Sequence, residues 1–223
     1  MVTDRGIADA GILQRALDAA APSRPAVYDG TTENPTEQSL LECLEIWNEH
    51  GCDGVIALGG GSPIDLAKAV ALLTSHGGTL ADYNVKTGGS AGIGKVSPQI
   101  AIPTAAGTGA EVGRACVMSL LDGSKMVAVN LNMVADLVIC DPELTLSLPP
   151  RLTAATGIDA LSHGVETYCS TWDNPPAAAI GLEAVRRAAK WLPVAVENGA
   201  DRTARWEMMM VSLMGGMCLQ KAL

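Results

Sequence analysis

The segment Val55-Ile56-Ala57-Leu58-Gly59-Gly60-Gly61-Ser62-Pro63-Ile64-Asp65-Leu66-Ala67-Lys68-Ala69-Val70 constrains the fold more than any other part of the chain. An apolar run meets three consecutive glycines, and Ser62 and Pro63 then open an apolar pattern at helical spacing. The stretch reads as strand, tight loop and helix. Three glycines carry no side chains to hold a ligand off the backbone. The helix beginning near Pro63 adds free N–H groups and the positive end of its dipole. The loop can cradle a pyrophosphate, or it can simply turn the chain at the end of a strand. It is not the G-x-G-x-x-G fingerprint, so an ordinary Rossmann turn is not expected.

The 223 residues, 48% of them apolar, are enough for one large or two modest domains with a sizeable core. Phenylalanine is absent, so Ala, Val, Leu, Ile and Met must fill that core. A net charge of −9 and the lack of a basic cluster argue against nucleic acid or an anionic membrane as partner. The opening residues do not form a leader pattern and no apolar run is long enough to span a bilayer, so a cytoplasmic location is expected. Cys43, Cys52, Cys116, Cys140, Cys169 and Cys218 form no C-x-x-C pair, as reduced thiols would. Neither disulfides nor a thiolate zinc site is expected.

Met1 to Gly6 read as the end of a strand, followed by a helix over Ile7 to Ala20. Asp4, just past the strand, can accept hydrogen bonds from an adenosine ribose or cap the helix. Ala26-Val27-Tyr28 is a second short strand. A helix starts after Asn34-Pro35-Thr36, carries Leu40, Leu44 and Trp47 on its apolar stripe, and ends at Gly51. His50 and His76 read as helix-end cations or solvated residues. Thr87 to Lys95 reads as a surface loop.

Ile100-Ala101-Ile102 forms another strand and leads into Pro103-Thr104-Ala105-Ala106-Gly107-Thr108-Gly109-Ala110-Glu111. Two threonine hydroxyls among small residues suit a phosphate or a nicotinamide amide, or a close crossing of two segments. Cys116–Leu121 and Lys125–Val129 flank Asp122-Gly123, a hairpin signal. Lys125 can reach a ribose or sit in water. Leu137 to Cys140 reads as a last buried strand, stopped by Asp141-Pro142. Strands alternating with helices imply a largely parallel α/β sheet, with ligands beyond the carboxyl ends of its strands. After Pro149-Pro150 only helices are expected, over Thr153–Tyr168, Pro176–Val196 and Thr203–Leu223.

Within the first of these helices, Asp159 and His163 are four residues apart and project from one face. An oxygen and an imidazole nitrogen so placed can grip one Fe2+ or Zn2+, or they can form an ion pair. Two ligands are too few for a catalytic metal site. Glu166 lies off the centre of that face.

Val2-Thr3-Asp4, Asn34-Pro35-Thr36, Gly59-Gly60-Gly61-Ser62-Pro63 with Asp65, Ile102-Pro103-Thr104 with Gly107-Thr108, Asp141-Pro142, and Ala155-Thr156-Gly157-Ile158-Asp159 with Ser162-His163 stand in a fixed order. In that order the sequence resembles the iron-containing (group III) alcohol dehydrogenases over nearly its whole length. The resemblance implies a mostly parallel α/β domain over 1–149 that binds NAD, followed over 150–223 by the first part of an all-helical metal-binding domain. This is a dehydroquinate synthase-like architecture with the substrate between the two domains.

The resemblance also assigns residues. Gly60, Gly61, Ser62 and Asp65 would contact the pyrophosphate and nicotinamide side. Thr104, Thr108 and Lys125 would be further cofactor contacts, with Asn34 a candidate for another. Asp4 would favour NAD over NADP, and Asp159 and His163 would be the first two ligands of Fe2+ or Zn2+. The family's other two ligands are histidines that would lie past Leu223, so the sequence is expected to be truncated at both ends relative to the family. Ala105 stands where many members carry a second threonine.

The implied reaction is hydride transfer between a small alcohol or aldehyde and NAD, the metal polarising the alcohol oxygen, with no side chain marked as a proton acceptor. The alternatives are a catalytically incomplete NAD-binding fragment and a metal-independent, maleylacetate reductase-like enzyme; Asp159 with His163 favours the metal branch. Met208, Met209, Met210, Met214 and Met217 mark an apolar tail whose uncovered face would favour a homo-oligomer.

Overall fold

The computed structural model describes residues 1–220, and the chain forms two compact units. One comprises Met1–Ile102 and Arg114–Ile139; the other comprises Pro103–Gly113 and the chain from Cys140 onward. The elements of the first are α1 (Arg5–Asp9), α2 (Ile12–Ala19), α3 (Glu37–His50), β1 (Val55–Gly59), α4 (Gly61–His76), β2 (Gln99–Pro103, its last residue shared with the other unit), β3 (Ala115–Ser119), β4 (Lys125–Val129) and β5 (Leu137–Val138).

The main sheet runs β1-β2-β5 and is extended beyond β1 by single-residue bridges. Val2 pairs in parallel with both Ala57 and Tyr28. Its N–H donates to Ile56 O at 2.7 Å, and its carbonyl accepts from Leu58 N at 2.9 Å. The strands expected over Met1–Gly6 and Ala26–Tyr28 are therefore present as bridges at Val2 and Tyr28, and Arg5 already begins α1. Leu58 and Ala57 are buried, and α4 buries Ile64, Leu66, Ala67, Ala69, Val70, Ala71 and Leu72, so this helix is covered around most of its circumference.

Three details depart from the sequence reading. The expected helix over Ile7 to Ala20 is broken: Gly11 takes the left-handed conformation, φ 73°, and separates α1 from α2. The last strand is an edge and not a buried one, because Leu137 is 51% and Ile139 43% exposed. The Thr87–Lys95 segment is more than a surface loop. Ser90 is buried, donates from Oγ to Tyr83 O at 2.7 Å and accepts from Val129 N at 3.0 Å. His76 helps to hold this segment, accepting at Nε2 from Gly94 N at 2.9 Å, with Nδ1 3.3 Å from Leu72 O. His76 therefore fastens this segment to the end of α4 instead of standing in solvent. The β3–β4 hairpin turns at Asp122-Gly123 as expected, with Gly123 at φ 82°.

The second unit is built from α5 (Pro150–Cys169), α6 (Pro175–Glu197) and α7 (Arg202–Leu219). Ala160, Ala184, Ala188, Ala195 and Ala204 with Met208 and Val211 form its core, so small side chains set a close helix spacing. At the α5–α6 crossing a Cβ on Gly164 would lie 2.8 Å from the Gly181 carbonyl. Residues 221–223, the end of the expected third helix, lie outside the described residues.

The Pro103–Gly113 segment belongs to this unit. A Cβ on Gly107 would stand 2.9 Å from Thr156 Cβ, and one on Gly109 would stand 2.6 Å from Gly216 Cα. The compact unit thus starts at Cys140 and recruits a segment from before β3, where the sequence suggested a single change near Pro149. Arg205, 3% exposed, ties the unit together: it donates to Gly199 O at 2.9 Å, Thr153 Oγ1 at 2.7 Å and Leu148 O at 3.0 Å.

Candidate functional site

The glycine turn owes its shape to packing as well as to backbone freedom. Gly59 has φ 153°, and a Cβ there would lie 2.6 Å from Pro63 Cγ and 3.4 Å from Asp4 Oδ2. A side chain at this position would collide with the ring that starts the helix. Helix α4 begins at Gly61 with Gly60 as its N-cap, and no side chain caps it. Helices α3, α6 and α7 are capped by Thr36, Asn174 and Asp201, while α2 and α5 share the lack of a side-chain cap. Pro63 has no N–H, so the donors offered by this helix end are those of Gly61 and Ser62. An uncapped helix start reached through a tight glycine turn fits an anionic diphosphate.

Several expected cofactor residues stand around this turn. Asp4 caps α1, accepting from Ile7 N at Oδ1 (3.0 Å), while its Oδ2 faces Gly59. Ser62 directs its hydroxyl to the Glu33 carbonyl, so only its backbone is turned to the helix end. Next to Glu33, Asn34 Oδ1 accepts from Lys125 Nζ at 3.3 Å, and the same amine donates to Ser119 Oγ at 2.8 Å. Thr36 bridges in parallel to Ser119, and Glu37 accepts from Leu121 N at 3.0 Å. The hairpin and the Glu33–Glu37 segment are thereby fixed to one another beside Ser62.

Asp65 and Lys68, one turn apart on α4, both reach β3. Asp65 Oδ2 accepts from Val117 N at 3.1 Å, and Lys68 Nζ donates to Ala115 O at 3.0 Å. Lys68 is 1% exposed. Burial pushes the Asp65 carboxyl up to about 6, opposed by the Lys68 charge and the Val117 N–H. Cys116 lies between these contacts, and burial with the Asp65 charge pushes its thiol up to about 12. Sequence reasoning missed Lys68, although a lysine inside the apolar run Leu66-Ala67-Lys68-Ala69-Val70 signals a buried charge that needs partners.

Thr104 and Thr108 lie in the helical unit. Thr104 is buried, and Thr108 is exposed with its hydroxyl accepting from Ala110 N at 3.2 Å. On α5, His163 Nε2 stands 3.6 Å from Asp159 Oδ1, with side chains 14% and 43% exposed. Two ligands about 2.1 Å from one metal at a tetrahedral angle stand about 3.4 Å apart, so the pair fits an ion between them. The His163 Nδ1 is buried without a partner, leaving Nε2 as the nitrogen turned to the carboxylate. Among the described residues no group of three His, Cys, Asp or Glu side chains gathers, so the pair supplies two ligands and no more. Glu166 joins no such group.

Comparison with known proteins decides the family. Residues 1–142 match the family described as iron-containing alcohol dehydrogenase, and residues 153–223 match the Fe-containing alcohol dehydrogenase family, C-terminal. The chain belongs to the iron-containing alcohol dehydrogenase family. It is 46% identical to 4-hydroxybutyrate dehydrogenase of Cupriavidus necator, which it matches over 100% of its own length and 59% of that protein. Alcohol dehydrogenase 4 of Schizosaccharomyces pombe is 39% identical over 100% of this chain and 53% of its own length. Among solved structures of this family, 1,3-propanediol oxidoreductase superposes with a TM-score of 0.92 at 34% identity, covering 99% of this chain and 58% of that one. Sulfoacetaldehyde reductase from Bifidobacterium kashiwanohense in complex with NAD+ gives a TM-score of 0.89 at 33% identity, over 98% and 58%. The chain therefore spans a little under three fifths of the length of these relatives.

Proposed function

We propose that this chain carries the dinucleotide site and two metal ligands of an NAD-linked alcohol dehydrogenase. The observation that supports this most is the uncapped start of α4, opened by a glycine turn whose Gly59 has no room for a side chain. The Gly61 and Ser62 N–H groups bind the pyrophosphate. The Oδ2 of Asp4 accepts from a ribose hydroxyl and repels a 2′-phosphate, which selects NAD over NADP. Lys125, oriented by Asn34 and Ser119, donates to the bound nucleotide. Asp65 accepts from a nicotinamide-side donor.

Asp159 and His163 hold a divalent metal, Fe2+ in keeping with the family. When bound, that ion supplies Lewis acidity toward the oxygen of a small alcohol or aldehyde while NAD carries the hydride. The names of the relatives support this substrate class, and the free cysteines suit a reducing compartment such as the cytoplasm.

Calorimetric titration with NAD+ tests the site. Saturable binding that weakens about 100-fold in Gly60→Asp, where a carboxylate meets the pyrophosphate, is expected. Equal affinity in that variant would contradict the assignment. Turnover of an alcohol panel with added Fe2+ tests the chemistry separately, and NAD+ binding without turnover would favour a nucleotide-binding module.

A further inference from the structure

Resting on that nucleotide-binding reading, we propose that Lys68 is a positioning residue for the dinucleotide site: with Asp65 it clamps α4 to β3 and keeps the Asp65 carboxylate charged and aimed as an acceptor for a donor on the nucleotide. The geometry has three parts. Lys68 Nζ and Asp65 Oδ2 grip β3 two residues apart, at Ala115 O and Val117 N. The Val117 N–H occupies Oδ2, which leaves Oδ1 for a ligand. Lys68 itself is 1% exposed and cannot touch the nucleotide, and its charge acts on the Asp65 carboxylate one turn away.

The chemistry of the ligand follows from charge. A carboxylate repels a pyrophosphate, so the group that Asp65 takes is an N–H or O–H donor, a carboxamide or a ribose hydroxyl. The carboxyl protonates readily in its half-buried place, and a protonated Asp65 is a poorer acceptor. The groups that act on its charge are the Lys68 ammonium, the Val117 N–H and, across β3, the Cys116 thiol.

The test is calorimetric titration with NAD+ between pH 5 and 9 for the wild type, Lys68→Met, Lys68→Arg and Asp65→Asn. The wild type should lose affinity as pH falls through about 6. Lys68→Met should move that loss upward, weakening binding about five- to tenfold at pH 7 and recovering toward the wild-type value by pH 9. Lys68→Arg should keep the wild-type profile. Asp65→Asn should bind weakly at every pH with no inflection.

A Lys68→Met variant weakened by the same factor at all pH values would reduce Lys68 to a structural clamp and overturn the proposal, leaving the nucleotide site standing. Should Lys68→Met fail to fold, an inflection near pH 6 that persists in Asp65→Asn overturns it equally. A wild type that binds no NAD+ at any pH removes the site reading and the proposal together.

Discussion

The glycine turn ahead of α4 and the acid–histidine turn on α5 are both short local motifs, but they are made of different material. The first is backbone: an excluded Cβ at Gly59, an uncapped helix start, and neighbours from Asp4, Glu33 and the hairpin that complete it. The second is two side chains 3.6 Å apart with no third ligand among the described residues. A site made of main chain is finished once the local fold forms, whereas a site made of ligands needs every contributor. The dinucleotide site should therefore act alone, and the metal pair should not.

The largest effect is expected where the backbone site is most crowded. Gly59→Val places a branched Cβ against Pro63 in a conformation that L-residues rarely adopt, and should lower stability by about 3 kcal/mol in urea unfolding and abolish NAD+ binding. Arg205→Met should cost a similar amount, about 2–3 kcal/mol, because it strands the Leu148 and Gly199 carbonyls that Arg205 now satisfies. Its NAD+ affinity in the folded protein should nevertheless be unchanged, and a weakened affinity would break the proposed independence.

A middling effect should come from Asp65, through pH. Its carboxyl is raised from 3.8 to about 6 in the folded chain, so the native state holds the proton more tightly than the unfolded one. Its contribution to stability is present below about pH 4 and is lost as pH rises through about 6. Asp65→Asn should remove that decline while weakening NAD+ binding. Denaturant midpoints at pH 5 and pH 8 check the sign. The smallest effect belongs to the metal pair. Because two ligands bind weakly, His163→Ala should lower Fe2+ or Zn2+ affinity only about tenfold, with NAD+ affinity unmoved.

This contrast also explains what could be read from the sequence. The strand–glycine–helix unit, the Asp-Gly hairpin and the three long helices were legible, because glycine conformation, turn chemistry and helical periodicity act locally. The break at Gly11 was not, since a single glycine in an apolar pattern can be tolerated or can end a helix, and packing decides. The role of His76 as a loop fastener was not legible either, because it depends on Gly94, eighteen residues away. The attachment of Pro103–Gly113 to the helices depends on the Gly109–Gly216 approach, a long-range contact with no local signature. Arg205 looks like an ordinary surface cation in a sequence, and only its acceptors in the structure show how deeply it is held.

The central claim is that the dinucleotide rests on the main chain at the head of α4. An amide nitrogen–proton correlation spectrum recorded with increasing NAD+ tests it most directly. The account predicts that the Gly60, Gly61 and Ser62 amides move first and furthest. Those three amides standing still at saturating NAD+, while others shift, would contradict it.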